Sequence, residues 1–171
     1  MKNKKLFHLV LAAVFAALTC VATMVVNIPI PATKGYLNLG DCIVLLGAFF
    51  LGPVYGMAAG GVGSMLADLL LGYAVYAPGT LVIKGVTALL AGLILRALGE
   101  NKKPATLLAG VVGEAFMVGG YFAYESLVLG YGFAAAASVP ANAVQGAAGL
   151  VLSAVLYRLL IAVPQIRALK T

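Results

Sequence analysis

Residues 41–72 read DCIVLLGAFFLGPVYGMAAGGVGSMLADLLLG. Between Asp41 and Asp68 the stretch carries no charge. One continuous helix through its 32 residues would be about 48 Å long. A bilayer core is only about 30 Å thick. Gly52-Pro53 lies near the middle, and a proline inside a helix removes a hydrogen bond and clashes with the preceding turn. The stretch therefore predicts two apolar helices, 41–51 and 54–72, joined by a tight turn inside a membrane.

The rest of the chain agrees. Of 171 residues, 63% are hydrophobic and 9% charged, with a mean hydropathy of +1.09. A soluble domain averages about 25% charged residues, so a soluble enzyme is excluded. Cys20 and Cys42 allow one disulfide at most, and His8 is the single histidine. No Cys/His metal cluster follows from that inventory, and neither a metal nor a cofactor is expected. There is no GxxxxGK[ST] motif, so any ATP hydrolysis must come from a partner. No catalytic residue is assigned, because Ser64 has no histidine at comparable depth.

Further apolar runs at about 6–26, 79–98, 105–129 and 140–163 bring the count to six helices. The expected fold is all-α, a six-helix transmembrane bundle forming one integral membrane domain over 1–171. Placing the amino terminus in the cytoplasm puts Lys2, Lys4, Lys5, Arg96, Lys102, Lys103, Arg158, Arg167 and Lys170 on one side, leaving Lys34 outside and Lys84 within a helix. This is the asymmetry of the positive-inside rule. Both termini are expected in the cytoplasm of a prokaryotic cell, in its plasma membrane. The net charge of +6 thus encodes topology, and no nucleic-acid role is assigned. The first run is longer than a typical signal-peptide core and lacks a clear cleavage site, so it reads as a retained helix.

Ionisable residues within spans are costly and mark functional sites. Asp68, Lys84, Glu114 and Glu125 are such residues, and Asn142 and Gln145 add two amides. With this topology Asp68, Lys84, Glu125 and both amides gather in the outer half, and Glu114 lies near the midplane. That pattern describes a pocket open to the outside. Glu114, Val118, Tyr121 and Glu125 recur at helical spacing, as do Asn142, Gln145 and Gly149. Gly52, Gly56, Gly60, Ser64 and Asp68 form a small-residue row in four-residue steps that favours close helix packing. Plainer readings stand beside these: an Asp68–Lys84 structural ion pair, a solvated Glu125, a protonated packing role for Glu114, a helix-start cap at Asn142, and an interfacial tyrosine belt. On the first helix, Ala12, Ala16 and Cys20 form a small stripe flanked by Ala13 and Ala17. It reads either as internal packing or as a docking surface for another membrane subunit.

Asn38-Leu39-Gly40-Asp41, Leu51-Gly52-Pro53, the run Gly63 to Leu70, Gly72-Tyr73, Tyr76 to Thr80 and Ile83-Lys84-Gly85 together resemble the substrate-binding S components of energy-coupling factor (ECF) vitamin transporters, in the riboflavin-type group. The resemblance covers nearly the whole chain. It implies capture of a vitamin from outside under a lid formed by the loop between helices 1 and 2. It further implies docking through helix-1 alanines on a transmembrane coupling subunit that carries two ATPases. Mapped here, Tyr36 and Asn38 belong to the lid. Asp68, Tyr73, Tyr76, Lys84, Glu114, Tyr121, Glu125, Asn142 and Gln145 would supply the pocket, and Ala12, Ala13, Ala16 and Ala17 the docking stripe.

Tyrosine faces with acids, one lysine and two amides suit a small heteroaromatic ring bearing hydroxymethyl groups. A B6 vitamer such as pyridoxine, or the thiamine precursor hydroxymethylpyrimidine, is the first expectation. Riboflavin comes next, and pantothenate would want more positive charge than Lys84 supplies. A self-sufficient secondary transporter is the rival of another class, although no internal repeat is evident.

Overall fold

The computed structural model describes residues 3–31, 33–99 and 103–167. Lys2, Lys102 and Lys170, which enter the charge asymmetry, lie outside the described residues. Helix α1 (Lys4–Val25) leads into a short antiparallel hairpin of β1 (Ile28–Ile30) and β2 (Gly35–Leu37). Then follow α2 (Gly40–Leu71), α3 (Ala77–Leu98), α4 (Lys103–Ala123), a π-helical turn (Tyr124–Val128), a 3-10 segment (Gly132–Ser138), α5 (Val139–Ile161) and the single turn α6 (Pro164–Arg167). Five of these segments are long and apolar enough to cross a membrane.

The second of them is two helices. At Gly52 the backbone takes φ 76° and ψ −177°, a conformation open to glycine and strained for other residues. Pro53 then starts a new helix in the position that lacks a need for an N–H. A Cβ on Gly56 would touch Ala48, and one on Gly60 would touch Val44. Residues equidistant from Gly52 therefore face each other, and α2 is a helical hairpin with arms 40–51 and 53–71. The small-residue row read from the sequence is what lets the arms close. With α1, α3, α4 and α5 the arms make the six-helix membrane bundle.

Local signals set the ends. The Asn3 side chain accepts from the Leu6 N–H and caps α1. Gly72, at φ 85°, closes α2 in the left-handed conformation. Pro78 and Pro140 sit in the first turns of α3 and α5, where proline is pre-organised. The core lies between the α2 hairpin, α3 and the start of α4, with Leu45, Phe49, Ala88, Ala91 and Ala109 buried. Tyr157 of α5 meets Phe49 edge-on, ring centroids 5.4 Å apart. Leu9, Val54, Val82 and Leu159 are more than half exposed. Such side chains suit contact with lipid.

The bundle has two distinct ends. His8 stacks on Tyr55, Gly92 packs on Pro53, and Leu160 lies with Phe50 and Leu51. The start of α1, the Gly52 turn and the ends of α3 and α5 thus share one end, and Lys4, Lys5, Arg96, Arg158 and Arg167 belong to it. The opposite end carries the β-hairpin, an addition of two short strands to the expected all-α architecture.

Candidate functional site

The β-hairpin end covers a small, mostly polar cavity in the bundle. Six segments meet there: α1, the hairpin, both halves of the outer α2–α3 junction, the α4 end with its π turn, and the start of α5. Tyr36 comes from β2, and Asn38 from the chain between β2 and α2. Asp68 comes from the last turn of the second α2 arm, Tyr76 and Lys84 from the start of α3, Tyr121 and Glu125 from the α4 end, and Asn142 and Gln145 from the start of α5. These nine residues, expected at a site from the sequence, all line the cavity.

Tyr73 and Glu114 lie elsewhere. The Tyr73 ring lies tilted against the Tyr36 ring with centroids 4.5 Å apart, so it backs the β-hairpin. Glu114 is buried, and neither of its oxygens has a hydrogen-bond partner. It lies beneath the cavity, where a Cβ on Gly146 would meet its carboxylate at 3.0 Å.

The ion pair differs from the expected one. Lys84 donates to Asp41 Oδ1 rather than to Asp68, and the two side chains are 2% and 0% exposed. Asp41 opens the first arm of α2, and its position in the helical hairpin sets it across from α3. Its other oxygen, Oδ2, accepts from Gln145 Nε2 at 2.6 Å. Gln145 Oε1 accepts from the Asn38 backbone N–H at 2.8 Å. Lys84 also stands 5.4 Å from the centroid of the Tyr121 ring, a cation–π distance. Asp41, Gln145 and Asn38 thus form a chain from the buried ammonium to the segment that follows the β-hairpin.

Asp68 has a different setting. Tyr36 Oη donates to its Oδ1 at 2.6 Å. Its Oδ2 is buried with no partner, as are Ser64 Oγ and Thr23 Oγ1. All three residues line the cavity, and buried polar atoms are seldom left unpaired. The Tyr36 hydroxyl titrates well above the ordinary tyrosine range, first through burial and then through the neighbouring Asp68 charge. It therefore remains a neutral donor at physiological pH.

Glu125 closes the far wall. Ser138 Oγ donates to its Oε2, and Tyr76 Oη lies 3.1 Å from its Oε1 and 2.6 Å from the Thr33 carbonyl oxygen. The solvated Glu125 of the plainer reading is thus corrected: it is 2% exposed. Burial, then the Glu125 charge, also raises the Tyr76 hydroxyl above its ordinary range. Asn142 Nδ2 reaches Ser138 Oγ at 3.5 Å, so it does more than start a helix. Thr80 Oγ1 and Tyr121 Oη are 3.0 Å apart. Asp41, Thr80, Ser138, Ser64 and Thr23 are the site residues that the sequence reading missed. Asp41 was legible in the Asn38-to-Asp41 block; the hydroxyl residues give no signal above ordinary packing.

The helix-1 alanines separate. Ala12 is buried against Leu51 and Ala59 of α2, and the Ala16 backbone packs where a Cβ on Gly63 would collide. Ala13 and Ala17 are exposed, one turn apart on the outer face. Among the described residues no group of three or more His, Cys, Asp or Glu side chains is arranged to hold a metal ion.

The chain is similar to known proteins. It is 36% identical over 157 residues to the thiamine precursor transporter HmpT of Lactococcus lactis subsp. cremoris (strain MG1363), covering 91% of this chain and 89% of that protein. It is 42% identical over 132 residues to an uncharacterized protein in the gap 3′ region of Pyrococcus woesei, covering 77% and 86% of the two chains. The family model for the ECF-type riboflavin transporter S component matches residues 3–162. A capped cavity on a six-helix membrane bundle and a match over nearly the full length lead to one assignment: the chain belongs to the ECF-type riboflavin transporter S component family.

Proposed function

We propose that this chain is the vitamin-binding subunit of an ATP-driven importer and that its ligand is hydroxymethylpyrimidine. The observation that carries the reading is the cavity under the β-hairpin, where Asp68 Oδ2, Ser64 Oγ and Thr23 Oγ1 are buried without partners beside tyrosine rings. A small heteroaromatic ring stacks on such rings, and its amino, ring-nitrogen and hydroxymethyl groups complete the polar atoms. The name of the Lactococcus relative favours hydroxymethylpyrimidine over pyridoxine, which has the same general shape. Riboflavin is the second reading, favoured by the family's description.

The ligand enters from outside, with Tyr36 and Asn38 of the lid closing over it. The exposed pair Ala13 and Ala17, flanked by Leu9, Val10 and Val21, offers a smooth apolar face on α1 for a transmembrane coupling subunit. Small residues permit close approach of helices in lipid. The coupling subunit brings two ATPases, and the basic end of the bundle faces the cytoplasm of a prokaryotic cell. A thermal-shift screen of the detergent-purified chain against hydroxymethylpyrimidine, pyridoxine, riboflavin, thiamine and pantothenate tests the assignment. At 100 times its dissociation constant a ligand stabilises the fold by about 2.7 kcal/mol. A selective shift with hydroxymethylpyrimidine is expected; a shift with riboflavin alone would replace it as the substrate.

A further inference from the structure

We propose that Asp68 selects the ligand by its proton-bearing edge, so that the site takes a neutral or cationic amino-substituted heteroaromatic ring and turns away phosphorylated or carboxylate-bearing relatives of that ring. This rests on the reading of the cavity as a vitamin-precursor site and specifies which face of the ring is read.

The charge inventory around the cavity carries the inference. Asp41, Asp68, Glu114 and Glu125 are buried acids at this end of the bundle, and Lys84 is the buried base among the described residues. Lys84 is committed to Asp41, whose second oxygen is taken by Gln145. Glu125 lies against the hydroxyls of Ser138 and Tyr76, the second of which is also shared with the Thr33 carbonyl oxygen. Lys34, at the hairpin tip, is exposed and is not part of the cavity wall. Among the described residues, the one cation on the cavity wall is therefore already paired with an acid.

Asp68 is the acid whose wiring is incomplete towards the cavity. It is 2% exposed, lines the cavity, and pairs through Oδ1 with a neutral hydroxyl. Its Oδ2 has no partner. A buried carboxylate oxygen without a donor is costly, and a ligand N–H removes that cost. The exocyclic amino group of an aminopyrimidine is such a donor, and a protonated ring nitrogen beside it adds a second. A phosphate or carboxylate would instead set a second negative charge beside Asp68 in a low-dielectric site. A flavin ring flanks its one ring N–H with carbonyl oxygens, which are acceptors facing an acceptor.

The test is a titration calorimetry series on the detergent-purified full chain. The probes are hydroxymethylpyrimidine, its analogue with hydrogen in place of the amino group, and its phosphate monoester. On the wild type the analogue and the ester should each bind about tenfold or more weakly than the parent. Asp68→Asn should weaken the parent by a similar factor, leave the analogue unchanged and shrink the penalty on the ester. Equal affinities of the three probes for the wild type would overturn the inference. So would an Asp68→Asn effect of the same size on parent and analogue. If Asp68→Asn does not fold, the three probes on the wild type decide alone. Absence of hydroxymethylpyrimidine binding would overturn the substrate reading together with the inference, whereas binding without preference for the amino group would overturn the inference only.

Discussion

Lys84, two turns into α3, pairs with Asp41 at the start of α2, and both side chains are buried. The pair joins the α2 hairpin to α3 at the level of the cavity floor. Through Gln145 and the Asn38 N–H it also connects α5 and the segment after the β-hairpin to the same point. Side chains of α3 and α5 thus meet on one α2 carboxylate, with the Asn38 segment joined through Gln145, which makes Asp41 a structural pivot of the site.

Lys84→Met should therefore be strongly destabilising, by about 3–5 kcal/mol, because it leaves a buried carboxylate without its counter-ion. Asp41→Asn combined with Lys84→Met should recover part of that loss, since neither charge then remains. Thermal unfolding of the three variants in detergent measures the coupling. Strictly additive losses would show that the two residues do not act as a pair.

The packing around the pivot is equally tight. A Cβ on Gly149 would lie 2.7 Å from Asp41 Cβ. Gly149→Ala should lower stability by about 1–3 kcal/mol through overpacking. Gly119→Ala, with nothing within 4 Å of the added carbon, should be neutral or gain up to about 1 kcal/mol from helix propensity. Melting temperatures of the two variants compare these directly.

At Gly52 the space around an added Cβ is open, but the backbone has φ 76°. Gly52→Ala should cost about 1–3 kcal/mol of strain alone, without a change at the cavity. A lower melting temperature with unaltered ligand affinity is the expected result.

Much of this site was legible in the sequence because a polar residue in an apolar span has few uses, and span order gives its depth. Asp68, Glu125, Asn142 and Gln145 were placed in that way. The partner of Lys84 was not. Asp41 and Asp68 stand at the outer ends of neighbouring arms, so depth alone does not separate them. The choice depends on how the arms cross α3, where a Cβ on Gly61 would strike the Leu81 carbonyl oxygen at 2.6 Å. Helical spacing also placed Tyr121 and Glu125 on one continuous face, yet α4 ends at Ala123 and Glu125 sits in the π turn. The wider winding there re-aims the carboxylate towards Tyr76 and Ser138. The alanine stripe divided for a similar reason. Small residues serve internal packing and external docking equally well, and only the position of α2 assigns Ala12 to the first and leaves Ala13 and Ala17 exposed.

That division gives a test of assembly. Ala13→Arg or Ala17→Trp should abolish co-purification with a coupling subunit while leaving ligand binding by the solitary chain intact. Retained assembly in both variants would remove the α1 face from the docking surface.

Tyr36→Phe keeps the ring that packs against Tyr73 and removes the proton donated to Asp68 Oδ1. Ligand affinity should fall about tenfold, the scale of a hydrogen bond to a charged group. Titration of hydroxymethylpyrimidine measures it, and an unchanged dissociation constant would show that the lid contact plays no part in holding the ligand.

The most direct test of the central claim, that the capped cavity holds a small heteroaromatic ligand, is a titration of hydroxymethylpyrimidine into the wild type and Ser64→Leu. Ser64 lines the cavity with an unpartnered hydroxyl, and leucine there would occupy the ligand's space. One ligand per wild-type chain, with no detectable binding by a Ser64→Leu variant that still melts cooperatively, is the predicted result. Equal affinity for the two proteins would place the ligand elsewhere and contradict the account.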